Sequence, residues 1–283
     1  MNLFDKTVEQ ALNNFPELSP LRIVVEKEML HHDILRVMSE GGLLKNLTFM
    51  GGTCLRNCYG SQRLSEDLDF SGGIDFSREE MKNLKELLTG SFMKKYSFRA
   101  DISEPVRDSG NTDTWKIKII TRPERSDFPA QRINIDICSL PSYERSPAML
   151  KNYYGIDMGS SGIILYAETQ EEILADKIVA LALRPNRIKN RDVWDILWLY
   201  NKNIKLKANL VYAKLEDRNI DKKIFSEKLK SRITALNGGF DDFLFEIKRF
   251  LPANQITGTI QSSDYWTYVN LVISELCNEF TGG

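Results

Sequence analysis

Asp67-Leu68-Asp69-Phe70 sets two carboxylates at the spacing that a β-strand turns to one face, with Leu68 and Phe70 on the other. Adjacent carboxylates repel, and the usual remedy is a cation between them. Mg²⁺ is the natural one, because it is hard, takes oxygen ligands and bridges protein carboxylates to phosphates. Just upstream, the apolar run Leu47 to Met50 breaks into Gly51-Gly52-Thr53 ahead of a helix. Backbone N–H groups in such a turn approach phosphate oxygens closely, at the positive end of the helix dipole. Arg132-Ile133-Asn134-Ile135-Asp136-Ile137-Cys138 supplies a third acid, its isoleucines alternating onto one face and Asp136 onto the opposite one. Beside the D-x-D strand, Asp136 would complete a set able to hold two Mg²⁺ ions for in-line phosphoryl transfer. It would align the second metal or accept the attacking hydroxyl's proton. Alone, it reads equally as a strand-end aspartate on a solvent face.

A second group of charges sits on helical patterns. Lys177 has Ile173, Leu174 and Leu181 as its i−4, i−3 and i+4 neighbours, so it projects from an apolar face. A cation there requires a carboxylate or a phosphate as partner. Over 191–200, Arg191, Asp192 and Asp195 cluster on one narrow side of an otherwise apolar helix, turned to the site or to Lys177. Spacing leaves open which of Asp192 and Asp195 faces the site. Arg56 and Arg63 are candidates for nucleotide phosphates, or for bracing the loop against Glu66 or another acid.

The elements that position these residues fall into two halves. Ser19-Pro20 predicts a helix start, Ser as N-cap and Pro at the first position, closed by Gly41-Gly42. A short strand ends at Met50, a helix covers 53–59, and Arg78 to Leu88 reads as helix. Strands are expected at 67–70, 96–102, 114–121 and 131–139, with a last one at 163–166. Thr169-Gln170-Glu171-Glu172 is a capping box. Helices then follow at about 170–183, 190–200, 207–217, 221–235, 239–250 and 265–279. The expected fold is α+β: a mixed sheet with flanking helices over 1–166, including an N-terminal helix, then a helical domain over 167–283.

Composition excludes several classes. The 283 residues are 42% hydrophobic and 27% charged, enough for a sizeable core without disulfides or structural metal. No apolar run approaches the ~20 residues of a membrane span, and Met1-Asn2-Leu3-Phe4-Asp5-Lys6 does not read as a secretory leader. Cys54 and Cys58, with His31 and His32, make no zinc pattern, and two adjacent histidines support no Ser–His–Asp or Cys–His constellation. These features point to a reduced, cytoplasmic protein without membrane partners. The net charge of −1 hides an asymmetry: residues 1–175 hold 21 basic and 26 acidic side chains, whereas 176–250 hold 17 and 10. The basic stretch offers a surface for an RNA backbone.

The order strand, G-G-T, helix, loop, D-x-D strand, later acid resembles the polymerase-β-type nucleotidyltransferase superfamily. The fuller string G-G-T-x-L-R…R-x-S-E-D-L-D-F, over residues 51–70, resembles the AbiEii family of abortive-infection and toxin–antitoxin toxins. Glu172-Ile173-Leu174-Ala175-Asp176-Lys177-Ile178 followed by Arg191-Asp192 matches it again, so the likeness spans about 47–200. The resemblance implies a Mg²⁺-dependent enzyme that transfers NMP from an NTP to an acceptor hydroxyl, with tRNA as acceptor and a cognate antitoxin as regulator. It implies Gly51, Gly52 and Thr53 at the triphosphate, Asp67, Asp69 and Asp136 at the metal, Lys177 at the β/γ phosphates and Asp192 as a functional acid. A protein hydroxyl as acceptor, and a non-catalytic nucleotide-binding module, are the alternatives.

Overall fold

A computed structural model describes residues 2–106, 110–125 and 128–282. Chain contacts divide it into two compact units, Met1–Glu168 and Thr169–Gly283.

The first unit is built on a seven-stranded mixed sheet among the described residues. Its strands are β1 (Thr48–Met50), β2 (Leu68–Ser71), β3 (Arg99–Ser103), β4 (Thr112–Ile120), β5 (Gln131–Cys138), β6 (Arg145–Met149) and β7 (Ile164–Glu168), in the order β3-β4-β5-β2-β1-β7-β6. β1 runs antiparallel to β2, while β2–β5 and β1–β7 are parallel pairs. Alternation makes one face of this sheet the core. Trp115, Ile117 and Ile119 on β4 and Ile133, Ile135 and Ile137 on β5 are all buried, each contributing about 1.5–3 kcal/mol.

Three helices flank the sheet: α1 (Leu3–Asn14), α2 (Arg22–Glu40) and α4 (Leu84–Tyr96). The short α3 (Gly51–Cys54) continues into a wider π turn over Leu55–Tyr59. α2 contacts β5 and α4, and α4 packs on β3. Besides Met29, Leu30, Ile34 and Leu35, α2 buries Glu26, Glu28, His31, His32 and Asp33. Each of these polar groups has a distant partner. Glu26 accepts from Gln131 Nε2 at 2.8 Å, His32 Nδ1 lies 2.7 Å from Ser160 Oγ, and Asp33 Oδ1 pairs with Lys95 at 2.6 Å. α2 is therefore a strut that ties sheet and loops together by hydrogen bonds as well as packing.

The second unit is helical: α5 (Gln170–Leu183), α6 (Asn190–Asn201), α7 (Ala208–Glu216), α8 (Lys222–Leu236), α9 (Phe240–Ile247), α10 (Ala253–Gln255) and α11 (Ser263–Thr281). α5 packs on α6, α7 and α8, α6 on α9 and α11, and α8 on α11. Thr169 caps α5 through the Glu172 N–H, while the Glu172 carboxylate is ion-paired with Lys214 at 2.8 Å. None of the described helices is long and apolar enough to cross a membrane.

The α+β mixed sheet followed by helices agrees with the expectation, with shifts in individual elements. Ser19-Pro20 lies in a 3-10 turn, Pro16–Leu21, and α2 begins at Arg22. The helix expected from Arg78 is a 3-10 turn over Arg78–Met81, followed by α4, which runs to Tyr96 where a strand was expected. Ser97 ends α4 in the left-handed region at φ +58, delaying β3 to Arg99. α1 and the edge strand β6 were not expected: α1 is capped by Asn2 and buries Phe4, Val8, Ala11 and Leu12, while β6 is largely exposed and contains Pro147, as edge strands tolerate.

Candidate active site

The glycine turn follows directly from the sequence. Met50 ends β1, and Gly51 turns the chain at φ +74, a conformation that L side chains rarely adopt. A Cβ added at Gly51 would lie 2.7 Å from Asp69 Oδ2, and one at Gly52 would strike the Arg63 guanidinium. The backbone thus passes close to an acid on one side and over a buried arginine on the other. The first N–H groups of the helix that follows have no intrahelical acceptor.

Thr53 is fully buried, and its hydroxyl lies 2.7 Å from Ser65 Oγ and against the Asp67 carbonyl oxygen. Its side chain therefore stitches the turn to the segment entering β2. The Thr53 side chain is occupied in this way, while its backbone remains in the turn.

Sheet register brings the acids together. Met50 opposes Asp69 across β1–β2, and Asp69 opposes Asp136 across β2–β5. Strands lie about 4.8 Å apart, so Asp69 and Asp136 are immediate neighbours on the half-buried face opposite the isoleucines. Asp67, two residues upstream, accepts from the Asn134 N–H at 3.1 Å. Thr114, paired with Asp136 across β4–β5, donates its hydroxyl to Asp136 Oδ1 at 2.6 Å. The donor set is all oxygen, with two carboxylates in adjacent register positions and a third at the strand entrance. All-oxygen donors of this kind suit a hard cation such as Mg²⁺.

The two arginines separate. Arg63 is 2% exposed beneath Gly52 and donates to the Leu64 carbonyl at 2.9 Å. Arg56 is drawn into the interior, which is the bracing alternative the sequence left open, with an acid other than Glu66. Its Nε lies 3.2 Å from Glu28 Oε2, its Nη1 donates to the Ser61 carbonyl at 3.0 Å, and Tyr153 stacks 4.8 Å from its guanidinium. Burial works against the Arg56 charge, but Glu28 outweighs it and holds the guanidinium above its ordinary pKa. Glu28 also accepts from the Ser65 N–H at 2.9 Å and from the Tyr154 hydroxyl. The acid partnering Arg56 is therefore on α2, while Glu66 pairs with Lys27 at 2.8 Å.

In the helical unit, Lys177 Nζ lies 2.6 Å from Asp192 Oδ1 and 2.8 Å from Asp195 Oδ2. Both aspartates face the lysine, and Arg184 adds a fourth charge at 2.9 Å from Asp192 Oδ2. Burial raises the Asp192 pKa, but the Lys177 and Arg184 charges overcome it and the net shift is downward. Arg191 turns aside from this group, to Glu246 at 3.4 Å and the Phe250 ring at 4.7 Å.

Glu28, Thr114, Asn134 and Arg184 were not singled out in the sequence. Thr114 had a usable signal, since alternation sets it on the same face of β4 as Lys116, but the register that pairs it with Asp136 is a property of the sheet.

A mixed sheet carrying a Gly-Gly-Thr turn against a D-x-D strand, with a third aspartate on the neighbouring parallel strand, defines a nucleotidyltransferase. The family model described as nucleotidyl transferase AbiEii toxin, type IV toxin–antitoxin system, matches residues 33–270, and the chain belongs to that family. It is accordingly a nucleotidyltransferase toxin. Among solved structures it is similar to MenT4, a nucleotidyltransferase toxin from Mycobacterium tuberculosis H37Rv. The two share 14% identity over 98% of this chain and 90% of that one, with a TM-score of 0.61. A candidate nucleotidyltransferase from H. pylori matches at 18% identity over 90% of this chain and 96% of that one, with a TM-score of 0.49. No curated protein matches the chain in sequence.

Proposed function

We propose that the protein transfers the nucleoside monophosphate of an NTP to an RNA hydroxyl, with tRNA as acceptor, and that this activity arrests growth until a cognate antitoxin opposes it. The observation that carries the reading is the register pairing of Asp69 with Asp136 beside the Gly51 turn.

In this reading the NTP triphosphate rests on the backbone N–H groups of Gly51, Gly52 and Thr53, with the Arg63 charge beneath them. Mg²⁺ held by Asp67, Asp69 and Asp136 supplies neutralisation of the charge that builds on the phosphate oxygens. The acceptor hydroxyl attacks the α-phosphorus and forms the new O–P bond. The bond from that phosphorus to the bridging oxygen breaks, and pyrophosphate leaves with its electron pair. The proton of the attacking hydroxyl passes to Asp136. Thr114 donates to Oδ1 of that carboxylate and fixes its orientation. Catalysis is then positioning and charge neutralisation.

We assign 1–166 as the nucleotidyltransferase domain and 167–283 as a helical domain. Lys177 and Asp192 are assigned to the β/γ phosphates and to acid function on the strength of the family pattern, with Lys177 also paired to both Asp192 and Asp195.

Incubation with α-labelled NTPs, Mg²⁺ and total tRNA tests the reading. Asp69→Asn is expected to lower labelling on the order of 100-fold or more. Labelling near wild type in that variant, or a labelled protein band in RNA-free lysate with none on RNA, refutes it.

A further inference from the structure

On the far side of the carboxylates from the glycine turn lies a row of exposed cations. β5 presents Asp136, Asn134 and Arg132 on one face, and β4 presents Thr114, Lys116 and Lys118 on the same face. Register sets Lys116 opposite Asn134 and Lys118 opposite Arg132. Like charges placed directly across a strand pair destabilise the sheet. Yet Lys116, Lys118 and Arg132 are all exposed and make no hydrogen bond or ion pair among the described residues. β3 adds exposed Arg99 and one carboxylate, Asp101, which opposes Lys118. Four cations thus face a single acid on a surface continuous with the acidic site.

The strand order gives this row its meaning. Going from β1 to β2, β5, β4 and β3, one crosses the glycine turn, the aspartates and then the cations. In-line transfer needs the attacking hydroxyl and the leaving pyrophosphate on opposite sides of the α-phosphorus. A triphosphate on the β1 side leaves the β5–β4 side for the acceptor. From Asp136 to Arg132 the strand extends about 13 Å, and successive cations on one strand are about 7 Å apart, a ladder of charge suited to a polyanion.

We propose that Lys116, Lys118 and Arg132, with Arg99, form the track on which the acceptor RNA lays its phosphate backbone as its hydroxyl reaches Asp136. This rests on the reading of the chain as an RNA-modifying nucleotidyltransferase, and it adds the surface that holds the RNA.

The test is binding of a fluorescein-labelled single-stranded RNA oligonucleotide to the full chain over a series of salt concentrations. The triple variant Lys116→Gln, Lys118→Gln, Arg132→Gln is expected to bind on the order of 100-fold more weakly at about 0.1 M salt, with a log–log salt slope shallower by about 2. The charge-preserving set Lys116→Arg, Lys118→Arg, Arg132→Lys keeps the wild-type slope, and NTP binding by equilibrium dialysis is unchanged in both. Wild-type RNA affinity in the glutamine variant overturns the proposal. So does an equal loss in the charge-preserving set, or displacement of the RNA by polyglutamate as effective as by unlabelled RNA. Because the readout is binding, a chain that holds RNA through these residues yet labels none refutes the transfer reading while the track stands.

Discussion

Gly51 and Asp69 are so close that a single methyl group at position 51 would lie 2.7 Å from Asp69 Oδ2. The turn that offers N–H groups and the acid that faces them are one mechanical unit, and the positive φ of Gly51 is what lets them approach. Gly51→Ala adds both strain and a collision. The backbone term costs roughly 1 kcal/mol, about 2–4 °C in melting temperature for a unit this size. Displacement of Asp69 is expected to lower nucleotide transfer on the order of 100-fold. A melt and a transfer assay on the same preparation check this, and an activity loss no greater than the loss of folded protein contradicts it.

Lys177 serves two buried carboxylates, so its removal strands both. Lys177→Ala is expected to cost about 3–5 kcal/mol in urea unfolding, and Lys177→Met combined with Asp192→Asn and Asp195→Asn to recover most of it. If Lys177→Ala unfolds at the wild-type urea midpoint, the pair has no structural share and the phosphate role stands alone.

Arg56 is predicted to behave as a brace. Arg56→Met leaves Glu28 buried without its cation, for a loss of about 3–5 kcal/mol, while KM for NTP in the folded fraction stays within a few-fold of wild type. A KM increase at unchanged stability would restore Arg56 to the nucleotide.

His32 gives the fold an acid limit. Burial lowers its pKa from 6.5 to about 4, so the unfolded chain takes up this proton more readily than the folded one. The stability from the neutral ring is present above pH 6.5 and is lost as pH falls towards 4, roughly 3 kcal/mol over that window. Asp192 also loses stability in acid, but below its ordinary value of 3.8. Urea midpoints at several pH values should therefore fall more steeply between pH 6.5 and 4 in wild type than in His32→Gln. Parallel curves would show that His32 is not the group responsible.

The acidic face and the glycine turn were legible because local pattern determines them. Alternation alone set Asp67 with Asp69 and turned Asp136 away from its isoleucines, and a Gly-Gly between strand and helix has few conformations open to it. Lys177 was legible as a cation requiring a partner, but two aspartates within one helical turn could not be ranked, and both contact it. Arg56 could be left only between phosphate and brace, for a different reason. Its partner Glu28 lies 28 residues upstream on α2, and nothing in the spacing of either segment reports that the two meet. The cationic row escaped notice for the same cause: Lys116, Lys118 and Arg132 are ordinary surface residues until β4–β5 register aligns them beside Asp136.

The β2–β5 pairing also bears on when the proposed acidic site can first exist in a growing chain. β1 and β2 are close in sequence and antiparallel, so they can meet early, but the strand that seats between β2 and β4 begins only at Gln131. Asp69 and Asp136 are joined by a long excursion through α4, β3 and β4, and such distant parallel pairings close late. A chain still short of β5 therefore carries the D-x-D segment without Asp136, the third acid of the proposed site. On the proposed assignment, topology postpones transfer until synthesis has passed β5.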